Sequence, residues 1–377
     1  MATPRPRREV DVVILGAGPA GSAVALELKR AGVAKVVLVD RPARRPFRIG
    51  ESAAPSLGPL LRRLGLDDRL DCHGHRPCYG NRTFWGGSAA AIEDFMSRTH
   101  GPGWHLDRET FDIWLKDEAV ARGAELLSPA HVAAVRRDGD GWQVDVRAVD
   151  INFEVKARWI VDATGRPAAF ARRSGARLHR VDRLMAFAVC AKPAEGQGFD
   201  GFSLVEAVEY GWWYAARLPG GAAVVALMTD ADLARGGNSL SPAAFGQAWA
   251  ATSEIGHFVP PPDQALRPVV FAAGTQFIDR AIAPGWLALG DALIALDPLS
   301  ASGVTGALED AIAAADTIVR LLGLPGNGEA RDIRSAYATR ANTTLRRYLV
   351  ERRAIYGREN RWRKNSFWQR RAAVMIQ

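Results

Sequence analysis

Cysteine is nearly missing. Cys72, Cys78 and Cys190 are the only three in 377 residues. They are too few for a disulfide framework, so the expected setting is a reducing cytoplasm. Long apolar runs are missing as well. One of the longest, residues 286–296, is interrupted by Asp291 and is too short to span a bilayer. The basic residues at the N-terminus lead into an apolar run that passes straight into a glycine motif. That run reads as a first strand and not as a signal peptide. There is no P-loop, no Ser/His/Asp elbow, and no lysine between Lys35 and Lys116. Net charge is missing over most of the length, because basic and acidic residues balance there. The net +8 sits between Arg346 and Arg371, where nine Arg and one Lys face only Glu351 and Glu359. With a neutral body and no binding motif, nucleic acid is not an expected partner. The basic stretch reads as a solvated helix face, or as a surface for an acidic protein or an anionic layer.

A hydrophobic share of 48% is ordinary for a folded protein, and the length favours two interlocked domains over one core. Residues 10–40 read as a βαβ unit. Residues 10–15 are a buried strand, and Gly16-Ala17-Gly18-Pro19-Ala20-Gly21 is a GxGxxG turn. A helix follows over 19–30, and a second strand over 35–39 ends at Asp40. In such a unit Gly16 permits the tight turn, Gly18 lets the backbone approach a pyrophosphate, and Gly21 lets helix and strand close together. The helix N-terminus, at Pro19 and Ala20, favours the phosphates. Asp40 is placed to accept from a ribose hydroxyl, with Arg41 next to it. The turn by itself does not separate NAD from FAD.

Further helices are expected near 55–64 and over 109–122. Strands are expected at 132–135, 142–146, 153–157 and 158–162, the last ending on Asp162 and Gly165. Antiparallel strands follow between 184 and 228, including 211–217 and 222–228, and a further buried strand lies at 285–289. Beyond Val304 helices dominate. The stretch GDALIALDPLSASGVTGALEDA places Gly290 and Asp291 at a strand end, then Pro298, Ser300 and Gly303 before a helix.

Together, the GxGxxG turn, Asp162-Ala163-Thr164-Gly165, and Gly290-Asp291 with Pro298 and Gly303 resemble the FAD-dependent monooxygenases of the p-hydroxybenzoate-hydroxylase-like fold. Ile49-Gly50-Glu51-Ser52 and the aromatic, arginine-rich tail look closest to the flavin-dependent tryptophan halogenases and their non-halogenating relatives. Those relatives mature tryptophan-derived quinone cofactors. The resemblance implies an α/β fold: a Rossmann-like FAD-binding domain (8–85, 105–180 and 275–330), an inserted antiparallel β-sheet substrate domain (86–104 and 181–274), and a basic helical C-terminal segment (331–377).

It also implies FAD as cofactor, with O2 as co-substrate and reduced flavin or NAD(P)H as the electron source. No metal is expected. In that frame Asp291 meets the ribityl chain or a ribose. Pro298 and Gly303 lie beside the flavin ring, and the helix from Val304 points its N-terminus at the pyrimidine end. Arg48, Glu51, Ser52 and Arg108 are further expected cofactor contacts. Asn81, Trp85, Trp212, Tyr214 and Ser300 are expected on the substrate side. Arg82, His73 and His75 are the candidate catalytic groups.

The halogenase pattern is broken in two places. The lysine those enzymes need after the GES motif is absent, with Arg82 the nearest cation, and Trp-x-Trp-x-Ile-Pro appears as Trp212-Trp213-Tyr214-Ala215-Ala216-Arg217. The resulting expectation is hydroxylation of an indole-like ring through a flavin C4a-hydroperoxide. The ring belongs to a small molecule or to a Trp of a precursor protein, and a separate flavin reductase supplies electrons. The alternatives are an oxidase, reductase or halogenase-like tailoring enzyme of a small natural product, or a flavin-binding chaperone or scaffold.

Overall fold

The structure, a computed structural model, describes residues 6–41, 47–87, 89–96, 100–149, 151–193, 201–236, 241–323 and 327–372. Parts of the expected substrate domain and C-terminal segment (88, 97–99, 194–200, 237–240 and 373–377) lie outside them. Two sheets face each other across a cleft.

The first has a parallel centre. Glu125–Leu127, Val36–Val39, Arg7–Leu15, Asn152–Asp162 and Trp286–Ala288 lie side by side in that order. The central residues of these strands are apolar on both faces, as sheets covered by helices require, and Val12, Val13 and Ile14 are fully buried. Asn152–Asp162 is one 11-residue strand where two were expected. Lys156 and Arg158 alternate with buried Val155, Ala157 and Trp159, so the two charges sit on the open side and do not end the strand. Its early half also pairs with Gly141–Ala148, and this pairs with Ala130–Asp138. The helix Pro19–Arg30 packs against Gly303–Gly323 over this sheet.

The second sheet has seven strands in the order Val269–Ala272, Leu184–Ala191, Ala223–Asp230, Gly211–Arg217, Phe202–Val208, Gly80–Phe84 and Ala91–Asp94. Neighbours are antiparallel except that Gly80–Phe84 runs parallel to Phe202–Val208. Residues 80–84 therefore belong to this sheet, whereas the sequence grouped them with the nucleotide-binding half. A pairing between segments more than a hundred residues apart leaves no local pattern. Alternation sorts Gly211–Arg217 cleanly. Trp212 and Ala216 join the core facing the cleft, and Trp213 and Ala215 join a second core with Phe245 and Trp249 on the far side.

The C-terminal segment is two helices, Asn327–Gly357 and Ser366–Ala372. It is not simply a solvated basic face. Arg352, Arg361, Arg370 and Arg371 are all engaged in ion pairs within the chain, and Arg352 and Arg371 are buried. Tyr356, Phe367 and Trp368 pack on the cleft side of the second sheet.

Candidate active site

A cleft of about 1480 Å³ opens between the two sheets. A ligand site for one compact molecule is commonly about 300–1,000 Å³. This one has room for a large cofactor and a substrate ring together.

At its floor the glycine turn has the geometry its spacing predicts. Gly16 has φ +104°, and a Cβ there would fall 2.3 Å from the Ala163 carbonyl oxygen. A Cβ on Gly21 would fall 1.9 Å from the Gly16 oxygen. Gly18, by contrast, faces open space, and with Pro19 and Ala20 it lines the cleft. The N-terminus of Pro19–Arg30 therefore presents free backbone N–H groups to the cavity. Asp40 ends the second strand with Oδ1 accepting from Ala17 N–H at 3.2 Å, beside the turn. Arg41 is exposed after it.

The second half of the floor comes from late in the chain. Gly290 is pressed against Ala20, and Asp291 follows with its side chain 43% exposed, 3.8 Å from Arg166. Asp297 caps the turn Pro298–Ser300 by accepting from Leu299 N–H, and Ala301 takes a left-handed φ of 48°. Leu299, Ala301 and Ser302 line the cleft, whereas the Ser300 hydroxyl turns back to the Asp297 carbonyl. Gly303 and Val304 open the next helix at the cavity, with empty space at Gly303.

These residues fit an FAD. Two helix N-termini and three unobstructed glycines (Gly18, Gly165 and Gly303) border one elongated cavity. Glu51 adds a buried carboxylate whose Oε2 has no hydrogen-bond partner among the described residues.

Several expected residues turn out to act on other parts of the protein. The Asp162 carboxylate is used up inside. It accepts from Thr164 N–H and Oγ1, and from Phe170 and Ala171 N–H, capping the short helix Ala169–Arg173. Burial pushes its pKa up, and these donors oppose the push. Arg48 pairs with buried Asp112. Arg108 also holds Asp112 at 3.1 Å and donates to the Ile49 and Gly50 carbonyls, so it fixes the GES loop while still lining the cleft.

Arg82 points away from the cleft, on the opposite face of its strand from Asn81 and Thr83, with its guanidinium 4.8 Å from the Phe202 ring centre. His73 packs on Trp114, and His75 on Phe111, outside the cavity lining. Burial brings the His75 pKa down to about 4, so its ring is neutral, and Nδ1 accepts from Asp107 N–H.

The substrate side is aromatic. Trp85, Trp212 and Tyr214 all line the cleft, and Asn81 lies at its edge with Nδ2 donating to Glu93. Trp85 meets Trp212 and Tyr356 edge to face, with ring centres 6.3 and 5.7 Å apart. The Tyr356 hydroxyl accepts from Trp212 Nε1 at 3.1 Å and donates to Asp297 Oδ2 at 2.7 Å. One hydroxyl thus ties the aromatic wall to the loop at Pro298. Burial, and then the Asp297 charge, push that phenol well above its usual pKa, so it remains a donor.

Asp297 also meets Arg352 Nε at 3.3 Å, and Arg352 reaches Asp182 at 2.8 Å. The sequence carried no signal for Tyr356 or Arg352 in the site beyond a basic tail. Nor did it for a second set that includes Ser203 and His105. Tyr214 Oη lies 2.7 Å from Ser52 Oγ, Ser52 Oγ 3.1 Å from Ser203 Oγ, and Ser203 Oγ 2.9 Å from His105 Nε2.

Comparison with known proteins points to the same cofactor. Residues 9–343 match the FAD binding domain family. The FAD-dependent oxidoreductase LodB of Marinomonas mediterranea is 29% identical over 367 residues, 96% of this chain and 97% of that protein. A tryptophan 2-halogenase of Chondromyces crocatus is 24% identical over 82% of this chain and 61% of its own length. Among solved structures, the peptidyl tryptophan dihydroxylase QhpG, essential for tryptophylquinone cofactor biogenesis, superposes with a TM-score of 0.80. It is 26% identical, covering 98% of this chain and 80% of that one. The chain is thus an FAD-dependent enzyme, and it belongs to the FAD binding domain family, with flavin-dependent halogenases and a tryptophan hydroxylase among its relatives.

Proposed function

We propose that this enzyme hydroxylates an indole ring with oxygen from O2, and that the ring is the side chain of a Trp in a partner polypeptide. The observation that carries the reading is the wall of Trp85, Trp212 and Tyr214 beside the Pro298–Gly303 loop, in a cleft with no lysine among its described lining residues. The cations that do line it are Arg108, Arg166, Arg180 and Arg358. A guanidinium keeps its proton and cannot act as the amine that halogenation by the family's route calls for. The size of the cleft and the name of the relative QhpG support a ring presented by a polypeptide.

When bound, FAD supplies the activation of O2. The chain's own residues do the rest. Trp85 offers an accessible surface on which an indole packs, with ring centres expected about 4.5–7 Å apart, and Trp212, buried at 1% exposure, backs it. Tyr356 locks Trp212 and the Asp297 loop in one arrangement. The N-terminus of the helix at Gly303 favours negative charge developing at the adjacent edge of the cleft. The apolar wall of Val224, Ala226, Met228 and Phe271 keeps water out. Reduction is assigned to a separate flavin reductase, since the described residues hold one glycine-turn nucleotide site.

The test is to mix reduced holoenzyme with isotopically labelled O2, chloride, bromide and a Trp-containing peptide, and to weigh the product. Labelled oxygen on the Trp is expected. A halogenated Trp, or turnover with no oxygen gained by the ring, would overturn the proposal.

A further inference from the structure

The chain of hydroxyls behind Tyr214 has a direction. His105 is 1% exposed, and its strand Gly103–His105 pairs with Ser52–Ala53 so that Ser52 and His105 lie opposite one another. Burial first, and then Arg76, bring the imidazole pKa down to about 4, so the ring is neutral and carries one N–H. That N–H is taken by a backbone hydrogen bond to Arg217, of the kind that favours the protonated ring. Nε2 is left as an acceptor, and Ser203 donates to it. Ser203 Oγ must then accept. The Cys78 thiol, 3.8 Å away, has the Gly80 carbonyl as its acceptor at 3.3 Å, so the donor to Ser203 is Ser52. Ser52 in turn accepts from Tyr214. The Glu51 side chain beside the phenol adds to the burial that keeps it protonated. The one proton of Tyr214 is thus used within this chain of hydroxyls, and Tyr214 itself lines the cleft.

We propose that Tyr214 is a specificity-determining acceptor, held in that sense by Ser52, Ser203 and His105, and that it selects a ring bearing an N–H donor over one of the same shape without it. Tyr214 would touch the substrate. Ser203 and His105 are positioning residues that act through it. The inference deepens the reading of an indole substrate and rests on it, but its test does not need turnover.

Indole and benzofuran differ by the N–H and hardly in shape. Their dissociation constants for oxidised, FAD-loaded enzyme are measured from the perturbation of the flavin spectrum. One net hydrogen bond predicts indole binding about fivefold tighter. In Tyr214→Phe the preference is expected to fall to about one, with flavin content unchanged. Ser203→Ala keeps the phenol but cuts it from His105, and is expected to lower the preference as well. It decides the matter if Tyr214→Phe fails to retain flavin. Equal binding of the two probes to the parent enzyme, or a preference that survives in the variants, overturns the inference. So does indole that does not bind at all. Oxygen incorporation into a Trp peptide is read separately, so either conclusion can fail without the other.

Discussion

Replacing Arg352 with methionine tests whether the C-terminal helix is part of the active site's frame. The side chain is 3% exposed, and it sits between Asp182 and Asp297, which are 8% and 2% exposed. Methionine fills much of the same space and removes the only cation recorded as ion-paired with those two carboxylates among the described residues. Breaking a buried pair from one side costs about 3–5 kcal/mol, because the stranded charge loses its compensation. Unfolding entropy of about 2.1 cal/mol/K per residue makes 1 kcal/mol worth a little over 1 °C here, so Tm should fall by about 4–6 °C.

The loss also has a definite pH dependence. Burial pushes the Asp182 pKa up, and Arg352 opposes that push. Without the guanidinium the largest opposition to that push is gone, and only the Leu184 N–H and the Arg371 charge still oppose it. A carboxyl whose folded-state pKa lies above its unfolded value adds stability at acid pH and loses that contribution as pH rises through the folded value. The gap between parent and variant should therefore be widest at neutral pH, and should narrow as Asp182 takes up a proton. The assay is thermal unfolding of the FAD-loaded proteins from pH 5 to 8. A gap below about 1 kcal/mol, or one that does not change with pH, would refute the reasoning from buried pairing.

Three further outcomes follow from geometry already described. Gly21→Ala sets a methyl group against the Gly16 carbonyl and should weaken FAD binding at least about tenfold, seen in the flavin-to-protein ratio and by titration. Asp162→Asn turns an amide toward N–H groups that now find a carboxylate, and should cost roughly 2–3 kcal/mol in thermal unfolding. FAD affinity should change less, since the side chain faces the short helix. Asp107→Ala removes the cap that accepts from Glu109 and Thr110 N–H and should lower stability by about 1 kcal/mol, read from the urea midpoint.

Legibility in the sequence followed the range of the interactions. The helix Pro19–Arg30 and the strand Gly211–Arg217 have the bounds their own periodicity and punctuation imply. The turn after Gly290 was equally readable, since glycine, aspartate and proline each constrain their own backbone. What could not be read was pairing at a distance. Gly80–Phe84 carries no mark of its parallel partner at 202–208. Ser52, His105, Ser203 and Tyr214 meet only because four strands converge, and His105 and Ser203 are not conspicuous alone. Asp162 stands at a strand end just where a cofactor ligand would, and only the tertiary hydrogen bonds reveal it as a cap. The basic tail misled for a related reason: net charge over a window does not show which arginines face inward to Asp230 and Asp297.

The bridge made by Tyr356 also sets an order of assembly. Trp212 and Asp297 are both translated before the hydroxyl that joins them. The strands of each sheet can pair on the ribosome, but the cleft-side core of the second still lacks Tyr356, Phe367 and Trp368, and the wall and the loop have no common anchor until residues 352–371 emerge and dock. A nascent chain stalled between Gly323 and Arg352 should therefore already contain the glycine turn and its nucleotide contacts. Its substrate wall would still be free of the Asp297 loop, so flavin retention would come earlier in synthesis than the ability to align a ring beside it.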